Sequence, residues 1–406
     1  MTTLAIEARL TEADEVRRSS FLLLSCVLVL LALGIVMVYS AAAVRSAEAG
    51  GSPFQPLVAH GVKVAVGLAL MAAAARLDPR RLARCATVFY VVTLVLLALV
   101  LVPGVGIESH GSRRWFSLPA IAGFALQPSE LAKLSLVAFL ASRLARKPDV
   151  GASFRHGFLP AAAAVLLPGS LILLETDFGT FVLLTALGFL LLLLAGARVS
   201  HLVLLAAFTL PPALLFLSSN PSTRYVFDRL GAFVGRPAVA RAATAPALQQ
   251  IDFAESALRV GGPTGVGLGG GRHKLFFLPE CENDFILAVI GEELGFVGTT
   301  CVVVLFALLL WSGARILMGI RHRFGFFVVA GVLVTIAMQA LMNVFVAVRF
   351  APVKGIPLPF LSSGGSSLAV LCLGVGIVLS IARHRDAAGS ELGPEESAAG
   401  AARRVP

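Results

Sequence analysis

Acidic side chains cluster in one stretch of this 406-residue sequence, which reads Pro-Glu-Cys-Glu-Asn-Asp-Phe-Ile over 279–286. Asp284 stands directly before an apolar run, where a carboxylate has two uses. It can cap the N-terminus of a helix, or it can act as a general base that takes a proton from a substrate hydroxyl group. A helix N-terminus lowers the pKa of a carboxyl group, whereas an apolar setting raises it. Because a base needs only to be ionised and correctly placed, both interpretations stay open.

Two further carboxylates, Glu292 and Glu293, lie in the same apolar run. At 1.5 Å per helical residue they are about 12 Å deeper than Asp284. A charge inside a membrane span indicates either function or a buried partner. We favour the structural interpretation, in which one of the two pairs with a basic residue of a neighbouring helix.

Adjacent cations suited to phosphate stand at Arg113 and Arg114, followed by Trp115. Guanidinium groups bind phosphate through paired, charge-assisted hydrogen bonds. The following residues, Gln-Pro-Ser-Glu-Leu-Ala-Lys over 127–133, are typical of a helix start, with a proline in the first turn, a capping Ser129 and an i,i+3 pair of Glu130 and Lys133. Phosphate binding and simple anchoring of a helix are equally compatible with this pattern.

A glycine-rich stretch over 261–271 leads into Arg272, His273 and Lys274. Glycines alone usually mark a flexible loop. Unhindered backbone N–H groups together with cations can nevertheless converge on a pyrophosphate. The position of this stretch just before the acidic cluster therefore makes it a candidate anion-binding loop.

Prolines and glycines interrupt an apolar region over 352–367, which predicts a broken or re-entrant segment lining a cavity. A short acidic loop over 175–180 faces the same side and is expected to cap the sixth span. The residues from these stretches that we place in a substrate or pyrophosphate site are Arg113, Arg114, Trp115, Glu130, Lys133, Arg272, Lys274, Glu280, Lys354, Ser362 and Ser366, with Asp284 as the catalytic candidate.

Composition places all of these residues in a membrane protein, because 57% of the chain is hydrophobic and only 14% is charged. The net charge of +10 does not indicate nucleic-acid binding, since the basic residues form short clusters between apolar runs. Most of the five cysteines lie in or beside apolar runs, which argues against a disulfide framework.

Apolar runs long enough to cross a bilayer recur along the whole chain and predict an all-α integral membrane protein with about ten spans. They cover residues 21–43, 57–75, 85–103, 129–145, 158–174, 178–196, 199–218, 285–313, 326–348 and 366–382. The excess of Lys and Arg on one side places both termini in the cytoplasm. Lys63 and Lys133 fall inside spans.

Three segments follow from this assignment. Residues 1–20 form a cytoplasmic N-terminal segment, 21–383 the membrane domain, and 384–406 a disordered cytoplasmic tail. The one long connection, 219–284, has no clear helical periodicity and lies outside, between spans 7 and 8. A loop of that length is either functional or disordered.

The stretches described above, taken in order, resemble the SEDS family, whose members polymerise lipid II into glycan strands. The resemblance extends from the first span to about residue 383. Its most specific parts are the arginine-tryptophan motif with residues 127–130, the run from Pro279 to Gly295, and residues 355–367. The glycine-rich run and residues 288–295 look more like FtsW than RodA.

The resemblance implies that Asp284 is the catalytic residue and that Arg113 or Arg114, Glu130 and Lys133 matter for activity. It also implies an inverting glycosyl transfer outside the membrane with polyprenyl pyrophosphate as leaving group. There are three departures from the family pattern: Glu282 and Asn283 replace His-Thr, Ser363 replaces Tyr, and Thr176 replaces Pro. These departures affect the fine geometry, and Glu282 changes the local charge.

The same resemblance implies a bacterial cytoplasmic membrane location, a role in peptidoglycan synthesis during cell division, and partners of the divisome. A class B penicillin-binding protein transpeptidase of the FtsI type is the expected main partner. A divalent cation, Mg²⁺ or Mn²⁺, is compatible with the chemistry, although the sequence contains no convincing ligand set. The alternatives are a RodA-like polymerase of cell elongation, a flippase for the lipid-linked precursor, and a scaffold, which would not need Asp284.

Overall fold

The computed structural model describes residues 3–109, 112–117, 124–146, 153–219, 245–276, 281–351 and 355–385. Its helices are α1 (Thr3–Glu48), α2 (Gln55–Ala74), α3 (Pro79–Val100), α4 (Pro128–Arg146), α5 (Leu159–Leu174), α6 (Phe178–Leu194), α7 (Val199–Ser219), α8 (Ala245–Gly261), α9 (His273–Phe276), α10 (Ile286–Met318), α11 (Arg323–Ala347) and α12 (Gly365–Arg383). A single π-helical turn, Phe154–Phe158, leads into α5.

The predicted helical membrane protein is confirmed. Within the described residues, seven helices are long and apolar enough to cross a membrane: α1 from Ala13, α2, α3, the π-turn with α5, α10, α11 and α12. The apolar helix α6 and the apolar part of α7, Val199–Leu215, are shorter. The α4 helix carries buried charge. These three predicted spans are therefore supported only by their position in the bundle. The count of ten stays a prediction.

The ends of several spans follow the local sequence. Asp78 caps α3 by accepting a hydrogen bond from the backbone N–H of Arg80 at 2.8 Å, and a proline follows it at the first helical position. Asp177 caps α6 in the same way through the N–H of Thr180 at 3.1 Å, which confirms the predicted cap. The α4 helix begins at Pro128, so Ser129 lies inside the first turn and the assignment of Ser129 as its cap is wrong.

Two features depart from the predicted all-helical fold. Strands β1 (Ile107–Ser109), β2 (Ser112–Ser117) and β3 (Ala125–Leu126) form a small antiparallel sheet between α3 and α4. The long connection before α10 is not devoid of periodicity, because it contains α8, which buries Ala254 and Ala257 and packs against α10. Tertiary packing of a short amphipathic stretch outweighs its weak sequence signal.

The α10 helix is interrupted at Gly295, whose backbone angles are φ 68° and ψ −162°. A side chain there would meet the backbone N of Gly265 at 2.3 Å, so the glycine-rich stretch lies directly against the break. The backbone N–H groups of Val266 and Gly267 donate to the carbonyl oxygens of Glu292 and Glu293 at 3.0 Å. These bonds satisfy carbonyl groups of the broken helix.

The centre of the bundle is formed by α11 and α12, the most buried of the spans. In this bundle α12 packs on α2, α1 along α10, α3 along α4, and α4 on α11. The starts of α4, α6, α10 and α12 lie at one end, together with the end of α1 and the small sheet. This end holds the candidate site.

Candidate functional site

The turn that carries Asp284 is held from several directions. Asp284 is half-buried, and its backbone carbonyl accepts a hydrogen bond from Asn343 Nδ2 of α11 at 2.9 Å. The N-cap residue of α10 is Phe285, which makes no side-chain cap. Asp284 is therefore not the N-cap residue of α10 but the residue before it.

The broken segment before α12 lies against this turn. Ser362 Oγ donates to the carbonyl oxygen of Asn283 at 2.5 Å, and the backbone N–H of Ser363 donates to the carbonyl oxygen of Glu282 at 2.9 Å. A side chain at Gly355 would lie 3.4 Å from Asp284 Oδ2. The broken segment thus places Ser362 beside the catalytic candidate. There the Ser362 hydroxyl group holds the backbone of the Asp284 turn.

Lys63 of α2 reaches the same segment. Its ammonium group donates to the carbonyl oxygen and the hydroxyl group of Ser363, at 3.0 and 3.2 Å. Among the described residues it forms no salt bridge with a carboxylate. The nearest negative charge that acts on it is the carboxylate of Glu282, and its hydrogen bonds go to Ser363.

The two adjacent arginines of β2 have different environments. Arg113 pairs with Glu108 of β1 at 2.9 Å, where the carboxylate is exposed. Arg114 donates to the backbone carbonyl oxygens of Glu175 and Thr176 at 3.2 and 2.8 Å. These carbonyl groups accept hydrogen bonds from the guanidinium group, but they are neutral and leave its positive charge unchanged. Trp115, next on β2, is half-buried.

Ser366 joins this sheet to α12. The backbone N–H of Gln127 donates to Ser366 Oγ at 3.0 Å, and Ser366 Oγ donates to the carbonyl oxygen of Ala125. Gln127 Nε2 in turn donates to Asp177 Oδ2 at 3.3 Å. These contacts connect the arginine sheet with the segment that touches the Asp284 turn.

Glu175 is a buried acid on the far side of this network. Neither carboxylate oxygen has a hydrogen-bond partner among the described residues. Burial and the neighbouring Asp177 raise the pKa of Glu175 to about 9, against the opposing effect of Arg114. The side chain therefore keeps its proton at neutral pH. The sequence alone did not indicate this protonated acid.

The pair of Glu130 and Lys133 is confirmed as a local ion pair. Lys133 Nζ lies 2.7 Å from Glu130 Oε2, and both side chains are buried. Leu134, Val137 and Thr335 lie around the pair. Each charge is thus neutralised by the other within the bundle.

Glu292 and Glu293 are satisfied by the glycine-rich stretch and α9. Glu293 forms a buried ion pair with Lys274 and accepts a hydrogen bond from Ser40 Oγ of α1 at 2.8 Å. Glu292 accepts from the backbone N–H of Arg272 at 2.8 Å. The structural interpretation of Glu293 is confirmed.

The predicted anion loop is accordingly occupied by the protein's own carboxylates. Lys274 is 2% exposed and bound to Glu293, so the structure places it away from an external pyrophosphate. The side chain of Arg272 is exposed and remains a candidate. Glu280 and Lys354 lie outside the described residues.

An open cleft of about 400 Å³ lies between α1 and α2 beside the Asp284 turn. Apolar residues form one wall, and Arg45, Glu282 and Ser363 are among the polar ones. Within the described part of the chain, no group of three or more His, Cys, Asp or Glu residues is arranged to hold a metal ion.

Three residues of the site were not among the sequence candidates: Arg45, Lys63 and Asn343. Lys63 carried a usable signal, because a lysine inside a span indicates function or a partner. Arg45 stands in a polar stretch after the first span, and Asn343 is a single amide in an apolar helix. Both residues contact the 281–284 turn, which is distant from them in the sequence, so their own sequence surroundings do not indicate these contacts.

Comparison with known proteins gives concordant matches. The family model FTSW_RODA_SPOVE, described as cell cycle protein, matches residues 20–387. The stage V sporulation protein E of Bacillus subtilis is 36% identical over 89% of this chain and 96% of its own. A probable peptidoglycan glycosyltransferase FtsW of Aromatoleum aromaticum is 38% identical over 94% of this chain and 92% of its own.

Solved structures agree with these relatives. One is a chain from a peptidoglycan synthase complex described as coordinating polymerization and crosslinking, with a TM-score of 0.70, 30% identity, and coverage of 90% of this chain and 98% of its own. Another is the rod shape determining protein RodA of Thermus thermophilus, with a TM-score of 0.64, 28% identity, and coverage of 90% and 96%. The likeness covers nearly the whole length of each chain.

Proposed function

The chain belongs to the FtsW/RodA/SpoVE family of cell cycle proteins, and from that membership we propose that it is a peptidoglycan glycosyltransferase that polymerises lipid II, more like FtsW than RodA. The single observation that carries the proposed chemistry is the position of Asp284. Its carboxylate lies on a firmly held turn at the end of the bundle where the cations Lys63 and Arg114, both hydrogen-bonded to backbone carbonyl groups, also lie.

The reaction is a substitution at the anomeric carbon of one lipid II molecule, with inversion of configuration. The acceptor hydroxyl oxygen forms the new bond to carbon, and its proton passes to the Asp284 carboxylate. The bond from carbon to the pyrophosphate oxygen breaks, and the electron pair leaves with the pyrophosphate. Negative charge grows on that group, and fixed cations aimed at it stabilise the transition state.

We assign the pyrophosphate to Arg114 and Lys63, with Arg272 and Arg113 at the exposed edge. Arg114 is held by carbonyl groups, so its orientation is fixed without loss of net charge. Ser362 and Ser366 hold the surrounding backbone. Glu130 and Lys133, which neutralise each other in the bundle, support the helix that begins beneath the sheet.

The protein is a multi-pass membrane protein, and we place it in the bacterial cytoplasmic membrane with both termini in the cytoplasm. We also propose a class B penicillin-binding protein transpeptidase and divisome proteins as partners. The likeness to a chain of a synthase complex that couples polymerization to crosslinking supports a partner of this kind.

The test is polymerisation of purified lipid II by the purified protein in liposomes, with and without the partner transpeptidase. We expect glycan strands by gel electrophoresis. Transport of lipid II between leaflets without any strands would support a flippase, and neither activity in the presence of the partner would support a scaffold. Either result would overturn the proposed function.

A further inference from the structure

The turn over 281–284 is attached to several separate segments of the chain. Ser362 and Ser363 hold the backbone of residues 283 and 282, and Asn343 of α11 holds the carbonyl group of Asp284. The remaining attachment is to the outer end of α1. On the α1 side it involves the side chain of Arg45 and the backbone of Ala41.

Arg45 contacts the turn through two neighbouring residues. Its Nη2 forms an ion pair with the Glu282 carboxylate and lies 3.2 Å from Cys281 Sγ. The Cys281 thiol is fully buried and lies 3.7 Å from the carbonyl oxygen of Ala41. Arg45 and Glu282 are 33% and 24% exposed, so water weakens their attraction only in part.

The charges around this contact indicate that Glu282 is the counter-ion of Arg45. Burial and the nearby Glu282 raise the pKa of Cys281 to about 12, so its thiol stays uncharged at neutral pH. Lys63, the other cation near the turn, is hydrogen-bonded to Ser363 and also attracted by Glu282, but Arg45 is the cation in direct contact with the Glu282 carboxylate. The side chain of Glu282 therefore faces α1, and its backbone carbonyl group faces the broken segment.

Asp284 is only two residues from Glu282, and no helix constrains the turn before residue 286. A shift of Glu282 would move the Asp284 carboxylate with it. Displacement of a reacting group by about 1 Å can reduce a rate by about 10²-fold. The direction of Asp284 thus depends on how firmly Glu282 is held.

We propose that Arg45 is a positioning residue, which holds the 281–284 turn through its ion pair with Glu282 and so fixes Asp284 for the reaction. This inference rests on the proposed function, in which Asp284 is the base. Arg45 does not touch the substrate in this role. In this role the charges of residues 45 and 282 must be opposite, whichever of the two residues carries the positive one.

A charge exchange tests this role. We expect Arg45→Glu and Glu282→Arg each to lower kcat for lipid II polymerisation by about 10²-fold with little change in KM. The double exchange is expected to recover kcat to within about threefold of the native value, because the two sites interact. The control is Arg349→Glu, which reverses the charge of a partly exposed arginine whose ion-pair partners, Asp252 and Glu255, belong to α8 and not to the turn.

A second measurement needs no polymerisation. A membrane-impermeant maleimide is applied to the native protein and the same variants, and labelling of Cys281 is followed by mass spectrometry of its peptide. We expect slow labelling in the native protein and in the double exchange. Faster labelling is expected in each single reversal, because the turn leaves α1.

Unchanged kcat in both single reversals would overturn the proposal. So would a double exchange that stays as inactive as the single reversals while its membrane content and melting temperature are native. Unchanged Cys281 labelling in all variants would likewise contradict it. If the native protein makes no glycan but labelling responds as expected, the proposed function fails while the attachment of the turn to α1 stands.

Discussion

Acidic side chains lie in two neighbouring regions, Asp284 just before α10 and Glu292 and Glu293 in its second turn. Their surroundings differ. Glu292 and Glu293 are buried, and their oxygens are occupied by Lys274, Ser40 and backbone N–H groups. At Asp284 the surrounding hydrogen bonds hold the backbone, and the carboxylate is half-buried beside Gly355. Buried and fully paired charge stabilises the fold, whereas a firmly mounted and accessible carboxylate is suited to chemistry.

The largest effect that this comparison predicts is the loss of activity in Asp284→Asn. The amide keeps the size of the side chain but cannot accept a proton, and loss of general-base assistance costs about 10²–10⁴-fold in rate. The measurement is glycan synthesis from lipid II with normal membrane abundance of the variant. The matched control is Asn283→Asp, which alters the adjacent charge and leaves Asp284 in place. Substantial synthesis by Asp284→Asn would remove Asp284 from the reaction.

The opposite behaviour is expected of Glu293→Ala. Removing one partner of a buried ion pair leaves the other charge uncompensated and costs about 3–5 kcal/mol. We expect a much lower melting temperature in detergent and little folded protein in the membrane. Arg259→Ala, which breaks an exposed pair with Glu255, is the control and should cost no more than about 1 kcal/mol. A Glu293→Ala variant of native stability would contradict the structural assignment.

Much of the bundle could be predicted from the sequence, since the bilayer imposes a minimum length on each apolar run. The predicted span 129–145 is helical over Pro128–Arg146, and 366–382 over Gly365–Arg383. The small sheet and α8 were not predicted. Both are short and take their stability from contacts with distant helices, so local periodicity carries little information about them.

The site was predicted only in part, because some of its contacts also join segments that are distant in the sequence. Asp284, Arg114 and Ser362 were identified from their motifs and lie in one connected network. Lys274 was assigned to substrate because of its neighbours in sequence, but its actual neighbour is Glu293. Which cation meets which anion depends on distances between helices, and no sequence pattern within one segment encodes those distances.

The two adjacent arginines provide a smaller test of the same distinction. We expect Arg114→Ala to reduce lipid II polymerisation by about 10–150-fold, since a hydrogen bond to a charged group contributes about 1.5–3 kcal/mol. Arg113→Ala, which removes a partly exposed ion pair with Glu108, should change the rate less. Steady-state kinetics of both variants at equal membrane content is the measurement. Equal effects of the two substitutions would mean that their different partners, backbone carbonyl groups for Arg114 and Glu108 for Arg113, do not separate their roles.

The last prediction concerns Glu175, which is buried like Glu293 but whose carboxylate oxygens have no hydrogen-bond partner among the described residues. Its pKa is about 9 in the folded protein, because of burial and Asp177, against an ordinary value of 4.5. Between those pH values the folded state holds one proton more than the unfolded state. The free energy of unfolding therefore falls as pH rises through this window, by at most about 1.4 kcal/mol per pH unit.

Glu175→Gln removes this titration while keeping the shape of the protonated acid. We expect the variant and the native protein to have similar melting temperatures near pH 5, and the variant to become the more stable one as the pH approaches 9. Glu108→Gln, at an exposed position on the small sheet, should follow the native curve. The measurement is thermal unfolding in detergent at several pH values. If the Glu175→Gln and native curves stay parallel, Glu175 is ionised in the folded protein and must have a cationic partner, as Glu293 has in Lys274.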